Sequence, residues 1–340
     1  MKRTSTKFAA FLLAAAMCAP MALAQSDSDK VKPGTESDVN AIGDRKVGHG
    51  PDMYSIQSEI ALGKELSQEV EKTSKLINDP VIVAYVNKVG QNLVRNSDAK
   101  VPFTIKVIDD DHINAFALPG GFFYVNSGVL LHADNESELA GVMAHEIAHV
   151  CARHQTRNAT KANIMQIASI PVMMALPYTL AGYGIYEGMN LAIPLTYLKF
   201  SRDAEREADY LGIQYMYKAG YDPNGMINVF EKFEAIEKQA PGTIPKIFDT
   251  HPATPDRIAA AQNEIATILP PRPEYIVDTS SFEAVKARIT RLNAGEKIQE
   301  VRDGGKPSLK TKAEQKKAQN QLPSPNGGDD NAPVLKRRPN

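Results

Sequence analysis

The sequence predicts a mostly helical α+β domain with a small sheet. Three observations carry this: apolar residues recur at helical spacing in several segments, two short runs alternate, and capping residues punctuate both. Ile56, Ile60, Leu62, Leu66 and Val70 form the apolar face of a first helix. A second has Asp79 as N-cap and Pro80 at its first position, followed by Val81, Tyr85, Val89 and Leu93. Phe103, Ile105 and Val107 alternate as a strand. After the Pro119-Gly120-Gly121 turn, Phe122, Tyr124 and Asn126 alternate with Phe123, Val125 and Ser127, a second short strand. Asp134 or Asn135 then caps a helix carrying Leu139, Val142, Met143 and Val150, with Glu136 and Glu138 in its first turn. Further helices are predicted from Ser201 to a stop at Gly220, after Asp222-Pro223, after Thr254-Pro255, and from Ser281 to Leu292.

The termini differ in composition from this domain, which is expected over residues 51–293. Lys2, Arg3 and Lys7 precede an apolar run from Phe8 to Met17, and Ala22-Leu23-Ala24 supplies an A-x-A site, the pattern of a secretory signal peptide over residues 1–24. Residues 25–50, rich in Ser, Asp, Gly and charge, read as a flexible leader, and residues 294–340 as a disordered tail. A net charge of −1 across 340 residues offers no nucleic-acid footprint. Without the signal, Cys151 is the only cysteine, so stability must come from core packing and metal rather than a disulfide.

His145-Glu146-Ile147-Ala148-His149 falls inside the predicted helix and matches the H-E-x-x-H pattern of zinc hydrolases. At about 100° per residue the two imidazoles lie about 40° apart, so both can face one cation, with Glu146 beside it to take a proton from water. A catalytic zinc needs a third protein ligand. His154 is near in sequence, but a continuing helix rotates it about 140° from His149. Ala152 and Gln155 occupy the positions where the metzincin extension has Gly and His. In Ser201–Asp209 two carboxylate pairs have i, i+4 spacing, Glu205 with Asp209 and Asp203 with Glu207. A ligand carboxylate with a supporting one a turn away fits either pair, so spacing leaves Glu207 open.

With these stretches together, the chain resembles the HtpX and CaaX-prenyl-protease family of zinc metalloproteases, gluzincin type, on its soluble exported, BepA-like branch. The resemblance rests on Asn114–Gly121, Val142–His149 with Arg153-His154, Ser201–Asp209, and Thr250-His251-Pro252 with Arg257, within roughly Ser58 to Leu292. It implies a zincin-like fold with an active-site helix and a glutamate helix. It implies one Zn2+ per chain on His145, His149 and Glu205, with Asp209 behind them. It implies Glu146 as general base, and His251 at the site as a gate or transition-state contact. The activity implied is a periplasmic zinc endopeptidase acting on unfolded or misassembled envelope proteins. The alternative is an autoinhibited scaffold working mainly as a chaperone or binding module. BepA-like relatives carry a C-terminal tetratricopeptide array, for which too few residues follow 293, so their docking partner is not carried over.

Two structural expectations complete the reading. The strand at Phe122 lies near the metal, where a sheet edge can bind an extended substrate through main-chain hydrogen bonds. Residues 164–186 contain no charged residue yet are broken by Pro171, Pro177, Gly182 and Gly184, which suggests a helical hairpin or lid able to touch a membrane surface.

Overall fold

The structure, a computed structural model, describes residues 32–175, 200–239, 251, 254–294 and 333–337. The signal peptide predicted at 1–24, and residues 176–186 of the predicted lid, lie outside them. The first part of that lid, up to Ala175, continues a helix that begins at His154. No helix among the described residues is long and apolar enough to cross a membrane.

The caps act where the sequence places them. Helix α1 (Ile56–Thr73) starts on Ser55, whose side chain accepts from the Ser58 amide. Helix α2 (Pro80–Arg95) starts on Asp79, which takes the amides of Val81 and Ile82. Strands β1 (Thr104–Ile108), β2 (Ala115–Leu118) and β3 (Phe122–Asn126) form one sheet in the order β1-β3-β2, with β1 parallel and β2 antiparallel to β3. A short helix α3 (Ser127–His132) follows, then α4 (Glu136–Cys151), capped by Asn135 through the Glu138 amide.

Every residue of α4 is buried. It packs against α2, against β2, and against α6 (Arg202–Ala219) and α7 (Asn224–Gln239). Two glycines allow the close crossings: a Cβ on Gly141 would lie 2.7 Å from the Met226 Cα, and one on Gly212 3.2 Å from the Ala144 carbonyl. Helix α5 (His154–Ala175) precedes α6 in the chain. Helix α8 (Pro255–Thr267) is capped by Thr254 and has Pro255 at its start. Strand β4 (Glu274–Thr279) leads into α9 (Ser280–Asn293), and β5 (Pro333–Arg337) pairs antiparallel with β4.

Three expectations are corrected here. The strand Phe122–Asn126 is the centre of its sheet, and the edge beside α4 is β2, because strand order does not follow chain order. Residues 32–50 are not a loose leader: Arg45 is fully buried in an ion pair with Asp98 at 3.0 Å, and Val39 joins the core. Composition registered the polar residues and missed that their partners lie far along the chain. Within the predicted disordered tail, residues 333–337 form a strand, since the edge of β4 supplies backbone partners that composition cannot show.

Candidate metal centre

His145 and His149 stand one turn apart on α4, as the unbroken helix dictates, with their Nε2 atoms 3.1 Å apart. Ser201 caps α6 through the Ala204 amide and sets Glu205 in the first turn. The α4–α6 crossing brings its carboxylate in: Oε2 lies 3.4 Å from His145 Nε2, and Oε1 3.6 Å from His149 Nε2. His251, just ahead of α8, places Nδ1 at 3.3 Å from His145 Nε2 and 2.8 Å from Glu205 Oε1. His145, His149, Glu205 and His251 thus offer ligand atoms that all lie within 4.8 Å of one another, and all four residues are buried.

These residues fit a zinc ion. Ligands at 2.0–2.1 Å around a tetrahedral ion stand about 3.3 Å apart, close to the spacings above, and imidazole with carboxylate is an ordinary zinc donor set. Burial and close neighbours shift these groups in different directions. Burial alone pulls the His145 imidazole down, but Asp209 and Glu205 beside it outweigh that and raise it to about 9. Burial raises the Glu205 carboxyl, yet His251 and the other imidazoles hold it well below the usual range. His149 is pushed well down by burial and by the neighbouring rings.

Around the cluster, further groups fix its members. Asp209 Oδ1 lies 3.0 Å from His145 Nδ1, without the alignment of a formed hydrogen bond. Arg257 grips Asp209 with two hydrogen bonds of 2.6 and 2.7 Å and reaches Glu205 Oε2 at 3.0 Å. This explains a cation on the first turn of α8, where the helix dipole disfavours one. Glu146 accepts from the Ala117 amide of β2 at 3.3 Å through Oε2, while Oε1 is buried with no hydrogen-bond partner. Burial raises the Glu146 carboxyl. Gln155 donates to the Ala117 carbonyl at 3.1 Å. Phe200 stacks on His149 with ring centroids 4.1 Å apart, and Phe230 meets His145 edge-on at 5.7 Å.

Five predicted site residues, His145, Glu146, His149, Glu205 and His251, therefore converge, and Asp209 stands behind them. Glu207 does not join them. It faces His154, whose Nε2 lies 3.0 Å from Glu207 Oε2. His154 in turn lies 2.8 Å from His149 through Nδ1, against the 140° rotation read from sequence. The rotation fails because α4 ends at Cys151, and Arg153, with φ of 57°, turns the chain before α5. Sequence reading missed Phe200 and Phe230, which carry no motif, and Gln155, whose only signal was its nearness to the metal motif. Cys151 stays out of the cluster, buried against Ser97 at 3.7 Å, its thiol pushed up to about 12 by burial.

Residues 82–265 match the model of peptidase family M48, a span that includes all five converging residues. The chain belongs to peptidase family M48. Among curated M48 relatives, it is 33% identical over 286 residues to the beta-barrel assembly-enhancing protease of Escherichia coli (strain K12), covering 81% of this chain and 56% of that protein. It is 33% identical over 301 residues to the putative beta-barrel assembly-enhancing protease of Vibrio cholerae, covering 87% of this chain and 59% of the other. The mitochondrial metalloendopeptidase OMA1 of Schizosaccharomyces pombe is 34% identical over 181 residues, 51% of this chain and 50% of that one. The chain thus matches somewhat more than half the length of the first two.

Proposed function

We propose that the protein is a periplasmic zinc endopeptidase that hydrolyses peptide bonds in unfolded or misassembled envelope proteins. One observation carries the reading: ligand atoms of His145, His149, Glu205 and His251 stand 2.8–3.6 Å from their neighbours around one buried point, with Glu146 beside it. Family membership and the relatives named as proteases support the activity. Their names also support envelope substrates, and the A-x-A pattern at 22–24 supports export.

In this reading His145, His149 and Glu205 hold one zinc ion. Bound there, a zinc ion would supply a Lewis acid for the scissile carbonyl and for a bound water. Glu146 takes the proton of the attacking water and delivers it to the leaving amine, and burial, which raises its carboxyl, helps it hold that proton in between. The Ala117 amide steadies Oε2 and leaves Oε1 for the proton. An extended substrate adds to the outer edge of β2, where it competes with Gln155 for the Ala117 carbonyl.

Cleavage of casein with and without a chelator, together with zinc stoichiometry, tests this. Glu146→Gln is expected to keep zinc and lose about a hundred- to ten-thousandfold in rate. Undiminished cleavage in that variant, or metal-free protein with full activity, refutes the assignment.

A second reading, of a site held shut, has its own observation: His251 Nδ1 lies 3.3 Å from His145 Nε2 and 2.8 Å from Glu205 Oε1, near enough to take the ligand position a catalytic zinc would keep for water. His251 then acts as a gate, and His251→Ala is expected to cleave casein several-fold faster. Chelator-insensitive silence in both wild type and variant favours a chaperone or binding role.

A further inference from the structure

His154 and Glu207 have no assigned task, yet the fold brings them together behind a metal ligand from opposite directions. His154, only 4% exposed, lies between His149 and Glu207. The proton positions follow from chemistry. A His149 ring that offers the Nε2 lone pair to a cation carries its hydrogen on Nδ1. His154 Nδ1, 2.8 Å away, must then accept that hydrogen, so His154 carries its own on Nε2. That N–H donates to Glu207 Oε2 at 3.0 Å, a charge-assisted bond in a partly buried setting. No other arrangement of protons satisfies both contacts while leaving Nε2 of His149 free for a metal.

The far end is anchored as well. Glu207 Oε1 accepts from the Gly48 amide at 2.9 Å and stands 2.9 Å from His49 Nδ1, so the docked segment before α1 pins the carboxylate. The turn at Arg153 is what lets His154 double back, and Arg153 is itself held by Glu59 at 2.6 Å and Asp52 at 3.2 Å.

We propose that His154 and Glu207 are a positioning pair for His149, fixing its tautomer and the aim of its ring. The proposal rests on the zinc-site reading above. Neither residue touches the reacting atoms; both act through His149.

The test compares wild type, His154→Leu, His154→Asn and Glu207→Gln, each checked for folding by circular dichroism. Zinc affinity is read by chelator competition, and ligand geometry by the visible spectrum of the Co2+-loaded protein. His154→Leu and Glu207→Gln are expected to bind zinc about 10- to 100-fold more weakly and to alter the cobalt bands. His154→Asn, whose Oδ1 can accept from His149 near the place of the lost ring nitrogen, is expected to recover part of the affinity. Should the Leu variant fail to fold, Glu207→Gln decides alone. Affinity within twofold of wild type and an unchanged spectrum in the folded variants overturn the proposal, as does an Asn variant no better than the Leu one. Wild-type protein that binds no zinc overturns the metalloprotease reading and this proposal with it, whereas normal wild-type binding with indifferent variants overturns this proposal alone.

Discussion

Two buried carboxyls, Glu146 and Glu264, are both raised by burial, and they differ in what surrounds them. Glu146 lies at the cluster, where imidazoles oppose the shift. Glu264, 4% exposed on α8, is raised well above its ordinary value by burial and by Asp209, against a 3.0 Å hydrogen bond from Gln214 and the Arg45 charge. The folded state therefore keeps a proton on Glu264 that the unfolded chain releases. Stability from this group is full below the ordinary value of 4.5 and falls as pH rises towards the raised one. Its slope is at most about 1.4 kcal/mol per pH unit. Glu264→Gln keeps the shape of the neutral acid and cannot ionise, so its urea stability measured between pH 5 and 8 is expected to decline less than that of wild type. Parallel declines would show that Glu264 ionises freely in the fold. At this scale His145, Glu146 and His149 were legible because one turn of helix relates them. Glu205 was narrowed to one of two carboxylate pairs by spacing and selected by resemblance. Glu264 carried no signal, because its partners come from α6.

At the scale of the element, the edge strand β2 is the part the sequence did not show. Four residues, Ala115–Leu118, are too few for alternation to register, and of the two strands that did register β1 is the far edge and β3 the centre of the sheet. β2 itself pairs with β3 and packs on α4, while the turn that follows it is held by α1. A Cβ on Gly63 would lie 1.7 Å from the Pro119 carbonyl oxygen, and one on Gly120, whose φ is 74°, 2.6 Å from the Ile60 Cα. Helix and turn are therefore in direct backbone contact, and the turn joins β2 to β3. Gly63→Ala is expected to destabilise the protein by about 1–3 kcal/mol through overpacking. By displacing β2 it should also raise KM for casein more than it lowers kcat. Thermal melting and steady-state kinetics check both, and an unchanged KM would separate β2 from substrate binding. The helices themselves were legible because their caps are local: Asp79-Pro80, Ser201, Thr254-Pro255 and Gly220 each work within a turn of their own chain.

Across the whole molecule, the segment before α1 acts as a strap. Arg45 pairs with Asp98 after α2 and donates to Gln214 on α6 at 2.6 Å, while Tyr215 donates to the same Asp98 at 2.9 Å. Both charged side chains are fully buried, so removing Arg45 leaves the Asp98 charge with only the neutral donors Tyr215 and the Gly43 amide. Arg45→Ala is expected to lower the free energy of urea unfolding by about 3–5 kcal/mol, and a loss under 1 kcal/mol would show the strap to be dispensable. Through Gly48 the same segment reaches Glu207, so stability and the metal site share a support. The sequence by itself determined the helices, their caps, the two-histidine motif with its glutamate, and the mostly helical class, since each is written within a few residues. Only the tertiary structure decided that His154 faces His149, that β2 rather than β3 is the edge, that residues 32–50 are docked, and how close His251 comes to His145 and Glu205. Those contacts join residues that the path of the chain brings together, and that path is set by packing around α4, where a local pattern has no reach.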